Sequence, residues 1–211
     1  MAVLLFDLDG TLIDSAVGIT RCVAHALENL GEAVPSEQEL RPWIGPPLRD
    51  SFRPLLNDEA RVEAAVSLYR ERFEDVGWAE HEVYPDVGEA IWTLAEAGHR
   101  LAVVTAKNEP HARRIVAHLP FGALFEAVIG ADMEGRRSHK PELIGEALHR
   151  LQTVAGSCWM IGDRWMDIAG AHQHGMRSVG VLWGFGDREE LEAHAPTHLV
   201  AAPRQLPLLV A

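Results

Sequence analysis

Ala2-Val3-Leu4-Leu5-Phe6-Asp7-Leu8-Asp9-Gly10-Thr11-Leu12 opens with five apolar residues and breaks at two carboxylates one leucine apart. The apolar run has the length of a buried strand. In an extended or tightly turning segment residues i and i+2 point the same way. Asp7 and Asp9 are therefore expected to converge at the strand's carboxyl edge. Two such anions invite a hard cation. Gly10 permits a sharp turn, and Thr11 supplies a hydroxyl and an N–H that suit a phosphate held beside Mg²⁺. Taken alone, Asp-x-Asp-Gly also reads as an ordinary turn.

From Asp14 to about Glu82 helical periodicity dominates. Ile19, Val23, Ala26, Leu27 and Leu30 recur at helical spacing before Gly31, and Ser36-Glu37-Gln38-Glu39 fits a capping box. Ile44-Gly45-Pro46-Pro47 breaks the chain, and helical patterns resume over Leu48–Leu56 and Ala60–Phe73. After Tyr84-Pro85-Asp86 helices and strands alternate. Helices are expected at Val87–Ala97, Glu109–His118, Glu142–Leu151 and Met166–His174. Strands are expected at Arg100–Thr105, Ala127–Ile129, Cys158–Ile161, Ser178–Leu182 and His198–Val200. The pattern predicts an α/β fold: a parallel-sheet core over residues 1–14 and 83–211, with a small helical unit inserted at 15–82. Ligands of such sheets sit beyond the carboxyl ends of the strands.

Three further polar clusters fall just past apolar strands. Thr105 ends Val103-Val104-Thr105-Ala106-Lys107-Asn108 and leads towards a helix whose N-terminus can face an anion. Lys140 stands in Ser138-His139-Lys140-Pro141, directly before another helix. Asp163 and Asp167 follow Trp159-Met160-Ile161-Gly162. Singly, Thr105 also reads as a helix cap, Lys140 as a solvated loop lysine, and the two acids as helix-start charges. The order of acids, hydroxyl, lysine and paired acids, each at a strand end, outweighs those separate readings.

With these segments in view, the chain resembles the haloacid dehalogenase-like hydrolases, in the branch of the phosphoglycolate phosphatases. Asp7 to Ser15 resembles the family's first motif, Thr105 its second, Lys140 its third and Gly162-Asp163 through Asp167 its fourth. The resemblance implies a Rossmann-like core with an α-helical cap. It also implies an Asp7 nucleophile that forms an aspartyl-phosphate, and Asp9 as acid and then base. Mg²⁺ would be held by Asp7, Asp163 and the main-chain carbonyl of Asp9, with Asp167 orienting that site or Lys140. Thr11, Thr105 and Lys140 would surround the phosphoryl oxygens. In the cap, Arg21, Arg49 and Trp43 are candidates for substrate contact, although each also reads as an ordinary surface or packing residue.

The 211 residues carry a formal net charge of -12, with 47% hydrophobic and 24% charged residues. That balance argues against nucleic-acid and anionic-membrane partners. Cys22 and Cys158 lack metal or redox spacing and read as buried thiols. No secretory or membrane-spanning pattern is evident, so a cytoplasmic protein is expected, as monomer or homodimer. His172 and His174 share no helical face, and Gly184-Phe185-Gly186 reads as a turn. The expected activity is hydrolysis of a small phosphomonoester, phosphoglycolate ahead of nucleotides or pyrophosphate. A sugar-phosphate mutase and a non-catalytic phosphometabolite-binding module remain the rival readings.

Overall fold

The structure, a computed structural model, describes residues 1–209. Its centre is β1 (Val3–Phe6), four residues buried on both faces. Leu4 and Phe6 enter one apolar cluster while Val3 and Leu5 enter another on the opposite face. This is the alternation a central parallel strand requires. Around it stand β4 (Arg100–Asn108), β5 (Phe125–Ala131), β6 (Cys158–Gly162), β7 (Arg177–Val181) and β8 (His198–Val200). The order is β5-β4-β1-β6-β7-β8, with every pairing parallel. The fold is the Rossmann-like α/β class.

Helices α5 (Val87–Glu96), α6 (Glu109–His118), α7 (Lys140–Arg150) and α8 (Trp165–Gln173) connect these strands, and α9 (Arg188–Glu192) and α10 (Leu206–Leu209) follow towards the carboxyl end. Each of the first four buries an apolar stripe, such as Leu143, Ile144 and Ala147 in α7. Pro141 lies in the first turn of α7, where a missing N–H removes no helical hydrogen bond.

Short strands β2 (Ile13–Asp14) and β3 (Glu82–Val83) pair antiparallel, Asp14 against Glu82, in a stretch where the periodicity had suggested helices alone. Between them run α1 (Ala16–Asn29), α2 (Glu37–Leu40), α3 (Leu48–Leu56) and α4 (Glu59–Asp75). Helix α4 packs on both α1 and α3 through Val62, Val66, Tyr69 and Phe73. The expected capping box at Ser36 and Glu39 is present.

The end of β4 differs from expectation. β4 continues past Thr105 to Asn108, so Thr105 does not cap a helix; Asn108 precedes α6 instead. Between Val104 and Asn108, four steps along β4 face only the two steps from Ile129 to Ala131 on β5. Such a bulge re-aims side chains that strict alternation would have fixed. Both cysteines are free and buried. Among the described residues no helix is long and apolar enough to cross a membrane.

Candidate active site

Register brings the motifs together. Phe6 pairs with Val103 on one side and Ile161 on the other, so the residues just beyond these positions meet at one sheet edge. Asp7 continues the ladder by donating its N–H to Ile161 O at 2.9 Å. Gly10 then turns with φ +86°, and a Cβ there would overlap the Asp163 carboxylate. The turn at Gly184 closes from the far side, where a Cβ would overlap Gly10 O and Asp163. Glycine at these two positions lets backbone approach the acids.

Asp7, Asp163 and Asp167 are all buried, and one carboxylate oxygen from each lies within 4.8 Å of the others. Lys140 Nζ stands 3.0 Å from Asp7 Oδ1, 2.7 Å from Asp167 Oδ1 and 3.0 Å from Val104 O. The ammonium is thereby enclosed by three protein oxygens, as a hydrogen-bond donor to Val104 O and an ion-pair partner of both acids. Thus Lys140, expected to reach a phosphoryl oxygen, here braces Asp7 and Asp167. Burial works against its charge, but Asp167 and Asp7 outweigh that effect and hold the ammonium protonated. Burial prevails at the acids: Asp7 is pushed up to about 7, against the pull of Lys140. Asp163 is pushed up to about 8 by burial and by the Asp7 and Asp167 charges.

Three carboxylates facing one ammonium leave an excess of negative charge. Hard oxygen donors at this spacing fit a divalent cation such as Mg²⁺, and its charge would relieve the repulsion that raises Asp163. Asp167, expected only to orient the site, places an oxygen in the cluster itself. Thr11 also differs from its expected part. Its hydroxyl donates to Asp163 Oδ1 at 3.0 Å, and Phe185 N donates to Asp163 Oδ2 at 2.9 Å. Thr11 therefore orients an acid, and the turn at residues 184–186 contributes a donor to the same acid.

Asp9 is buried but separate from that cluster. Its Oδ2 pairs with Lys107 at 3.1 Å, and Oδ1 has no hydrogen-bond partner. Asp7 and Asp9 both line one cavity of about 290 Å³, but each answers to a different lysine. Thr105 also lines it, its Oγ1 accepting Lys107 N–H at 3.2 Å and leaving its own proton free to donate.

The cavity roof comes from α3, α4 and the turn before α3, with Trp43, Arg49, Tyr69, Arg70 and Phe73 among its lining. Trp43 meets Phe52 edge-to-face at 5.4 Å. Arg49 is held by Glu63 through two contacts of 2.5 and 2.8 Å, and Arg70 donates to Met133 O at 3.0 Å. Arg21 is not in this roof. It pairs with Glu80 at 2.8 Å and borders a separate depression with Glu37 and Arg41.

The model of one family, described as haloacid dehalogenase-like hydrolase, matches residues 4–181, which span all four polar clusters. The chain belongs to the haloacid dehalogenase-like hydrolases. It is 44% identical over 199 residues to a 5'-nucleotidase of Pseudomonas aeruginosa, covering 94% of this chain and 90% of the relative. A tyrosine-protein kinase PtkA of Mycobacterium tuberculosis is 38% identical over 92% of this chain and 66% of its own. A phosphoglycolate phosphatase of Colwellia psychrerythraea is 31% identical, covering 92% and 90%. A predicted phosphatase from Clostridium acetobutylicum superimposes with TM-score 0.94 at 34% identity, covering 98% and 96%. The chain is accordingly a phosphatase of this haloacid dehalogenase-like family.

Within this haloacid dehalogenase-like fold, sequence reading assigns no site role to Lys107 or Phe185 and takes Arg164 only as a residue flanking the fourth motif. Arg164 is buried, pairs with Glu190 at 2.9 Å and donates from Nη1 to Ile44 O, tying the metal-side loop to the roof. A lysine two residues after the hydroxyl of Thr105 was the available signal for Lys107. For Phe185 there was none, because it acts through its backbone; for Arg164 the signal was its place beside Asp163, while its partner Ile44 lies on a loop distant in sequence.

Proposed function

We propose that this chain is a Mg²⁺-dependent phosphomonoesterase that works through a phosphorylated Asp7, with residues 15–82 as its cap. The observation that carries the reading is the division of labour between the two buried acids. Asp7 Oδ1 is held by Leu8 N–H at 2.8 Å and by Lys140, which leaves Oδ2 for in-line attack on phosphorus. Asp9 keeps Oδ1 unpartnered beside the same cavity, as a proton donor to the departing oxygen requires.

In the first half-reaction the bond from phosphorus to the ester oxygen breaks as Asp7 Oδ2 bonds to phosphorus. The departing oxygen takes its proton from Asp9. In the second, Asp9 takes a proton from water as that water attacks phosphorus, releasing inorganic phosphate and restoring Asp7. Thr105 donates its hydroxyl to a phosphoryl oxygen throughout. Mg²⁺, held by the carboxylates of Asp7, Asp163 and Asp167 and by the Asp9 carbonyl, would supply the positive charge that lets one anion approach another.

For the substrate we favour a nucleoside 5'-monophosphate. Trp43, Tyr69 and Phe73 give the cavity of about 290 Å³ aromatic walls suited to a base or sugar. Phosphoglycolate, the first expectation from sequence, would leave much of that volume to water. Arg49 and Arg70 keep it as the second reading, since either could receive a carboxylate. The test is phosphate release from nucleoside monophosphates, phosphoglycolate, sugar phosphates, pyrophosphate and phosphotyrosine, in Mg²⁺ and in EDTA, beside Asp7→Asn. Release that needs Mg²⁺ and Asp7 supports the reading; release that survives Asp7→Asn overturns it. Isomerised phosphate without net release would move the assignment to a mutase.

A further inference from the structure

Lys107 is enclosed to a degree unusual for lysine, its side chain 7% exposed and that of its partner Asp9 9%. The bulge after Val104 frees it from strand alternation and swings its ammonium to Asp9 Oδ2 at 3.1 Å. On its other side lies the ring of Phe73, with the centroid 4.5 Å away. Phe73 comes from α4, on the roof. The ring stacks on Tyr69 at 5.7 Å and meets His111 at 4.8 Å, while His111 contacts Glu74 at 2.9 Å. The ammonium therefore bridges an acid of the floor and an aromatic face of the roof.

A carboxylate rotates readily about its last torsion, so an unpinned Asp9 would offer either oxygen in many directions. An ion pair at Oδ2, enclosed from water, restricts that freedom. Lysine's own stem is flexible, but here the Lys107 N–H is tied to Thr105 and the ammonium is seated on Phe73. We propose that Lys107 is a positioning residue for Asp9. By holding Oδ2 it presents Oδ1 first to the leaving oxygen and then to water, and Phe73 makes that hold depend on the seated roof. This rests on the hydrolase reading above, in which Asp9 moves the proton.

Leaving-group dependence separates positioning of the acid from a general structural role. An alkoxide cannot depart without a proton, whereas p-nitrophenolate departs nearly unaided, and kcat/KM reports the half-reaction in which it leaves. Lys107→Met is expected to lower kcat/KM for a nucleoside 5'-monophosphate by about 30- to 100-fold, the scale of an ångström-sized misplacement. For p-nitrophenyl phosphate the loss should stay under about 3-fold. Lys107→Arg should recover most of the alkyl-ester rate. If thermal melts show Lys107→Met unfolded, Lys107→Gln carries the comparison. Equal losses on both substrates, or no loss on the nucleotide, would overturn the assignment. A wild type without Asp7-dependent phosphate release would remove the hydrolase reading first and Lys107's role with it.

Discussion

Below the cavity, Asp7, Asp163, Asp167 and Lys140 are between 0% and 3% exposed; Lys140 pairs with Asp7 and Asp167, and Asp163 accepts from Thr11 and Phe185. Above it, Arg49 and Arg53 pair with Glu63, Asp50 and Glu59, which are 36% to 68% exposed. Both regions use ion pairs, but the physics differs. Buried charges lack water to fall back on, so each floor residue depends on the others. Exposed pairs exchange readily with solvent, so the roof can release an arginine to an incoming anion at little cost. The buried pairs thus depend on one another, while the exposed ones are free to change partner.

The strongest way to break this contrast is at the nucleophile. Asp7→Asn should lower turnover by roughly 10⁴-fold or more while leaving the melting profile cooperative, read by phosphate release and calorimetry. Lys140→Met tests the mutual dependence of the floor. Removing the cation from three buried acids is expected to cost about 3–5 kcal/mol in denaturant unfolding, in metal-free buffer.

A third test uses pH. Asp163, raised by burial and its acidic neighbours from the ordinary carboxylate range to about 8, and Asp7, raised by burial to about 7, hold protons when folded that they release on unfolding. The native state therefore binds more protons, and the metal-free protein loses stability as pH rises from the unfolded values through about 8. Melting temperature in EDTA should fall between about pH 5.5 and about pH 8.5, and the gain from Mg²⁺ should grow over the same span. A Mg²⁺ gain that shrinks with pH would contradict the acid cluster as the cation site.

The roof predicts smaller effects. Arg70→Ala or Trp43→Ala should raise KM by about 5- to 20-fold with kcat within about 3-fold, because contacts remote from phosphorus bind ground and transition states alike. Arg53→Ala, whose partners are exposed, should change neither constant by more than about 2-fold.

The same contrast governs what could be read from the residues alone. Asp7 and Asp163 were legible because apolar strands end just before them, Thr105 because it follows an apolar run, and Lys140 because it opens a helix; parallel topology gathers all four at one edge. The alternation of strands and helices was legible from the same apolar runs, whereas the strand order came only from the structure. The partner of Asp9 was not, since it depends on a two-residue slip after Val104 that composition does not announce. Arg21 was misplaced because it sits on α1 between the buried Ile19 and Cys22, and a small rotation decides which cleft such a side chain faces. The commitment of Thr11 to Asp163 depends on where a distant turn presses in, which no local pattern reports.

That distant turn has a further consequence. Trp183 donates its indole N–H to Thr11 O at 3.1 Å across 172 positions, and Phe185 secures Asp163 from the same turn. The opening catalytic segment is thus completed by a turn far along the chain. A chain cut before that turn would leave Thr11 O and Asp163 Oδ2 without these donors, so the acid cluster cannot take its full form from the amino-terminal segment alone.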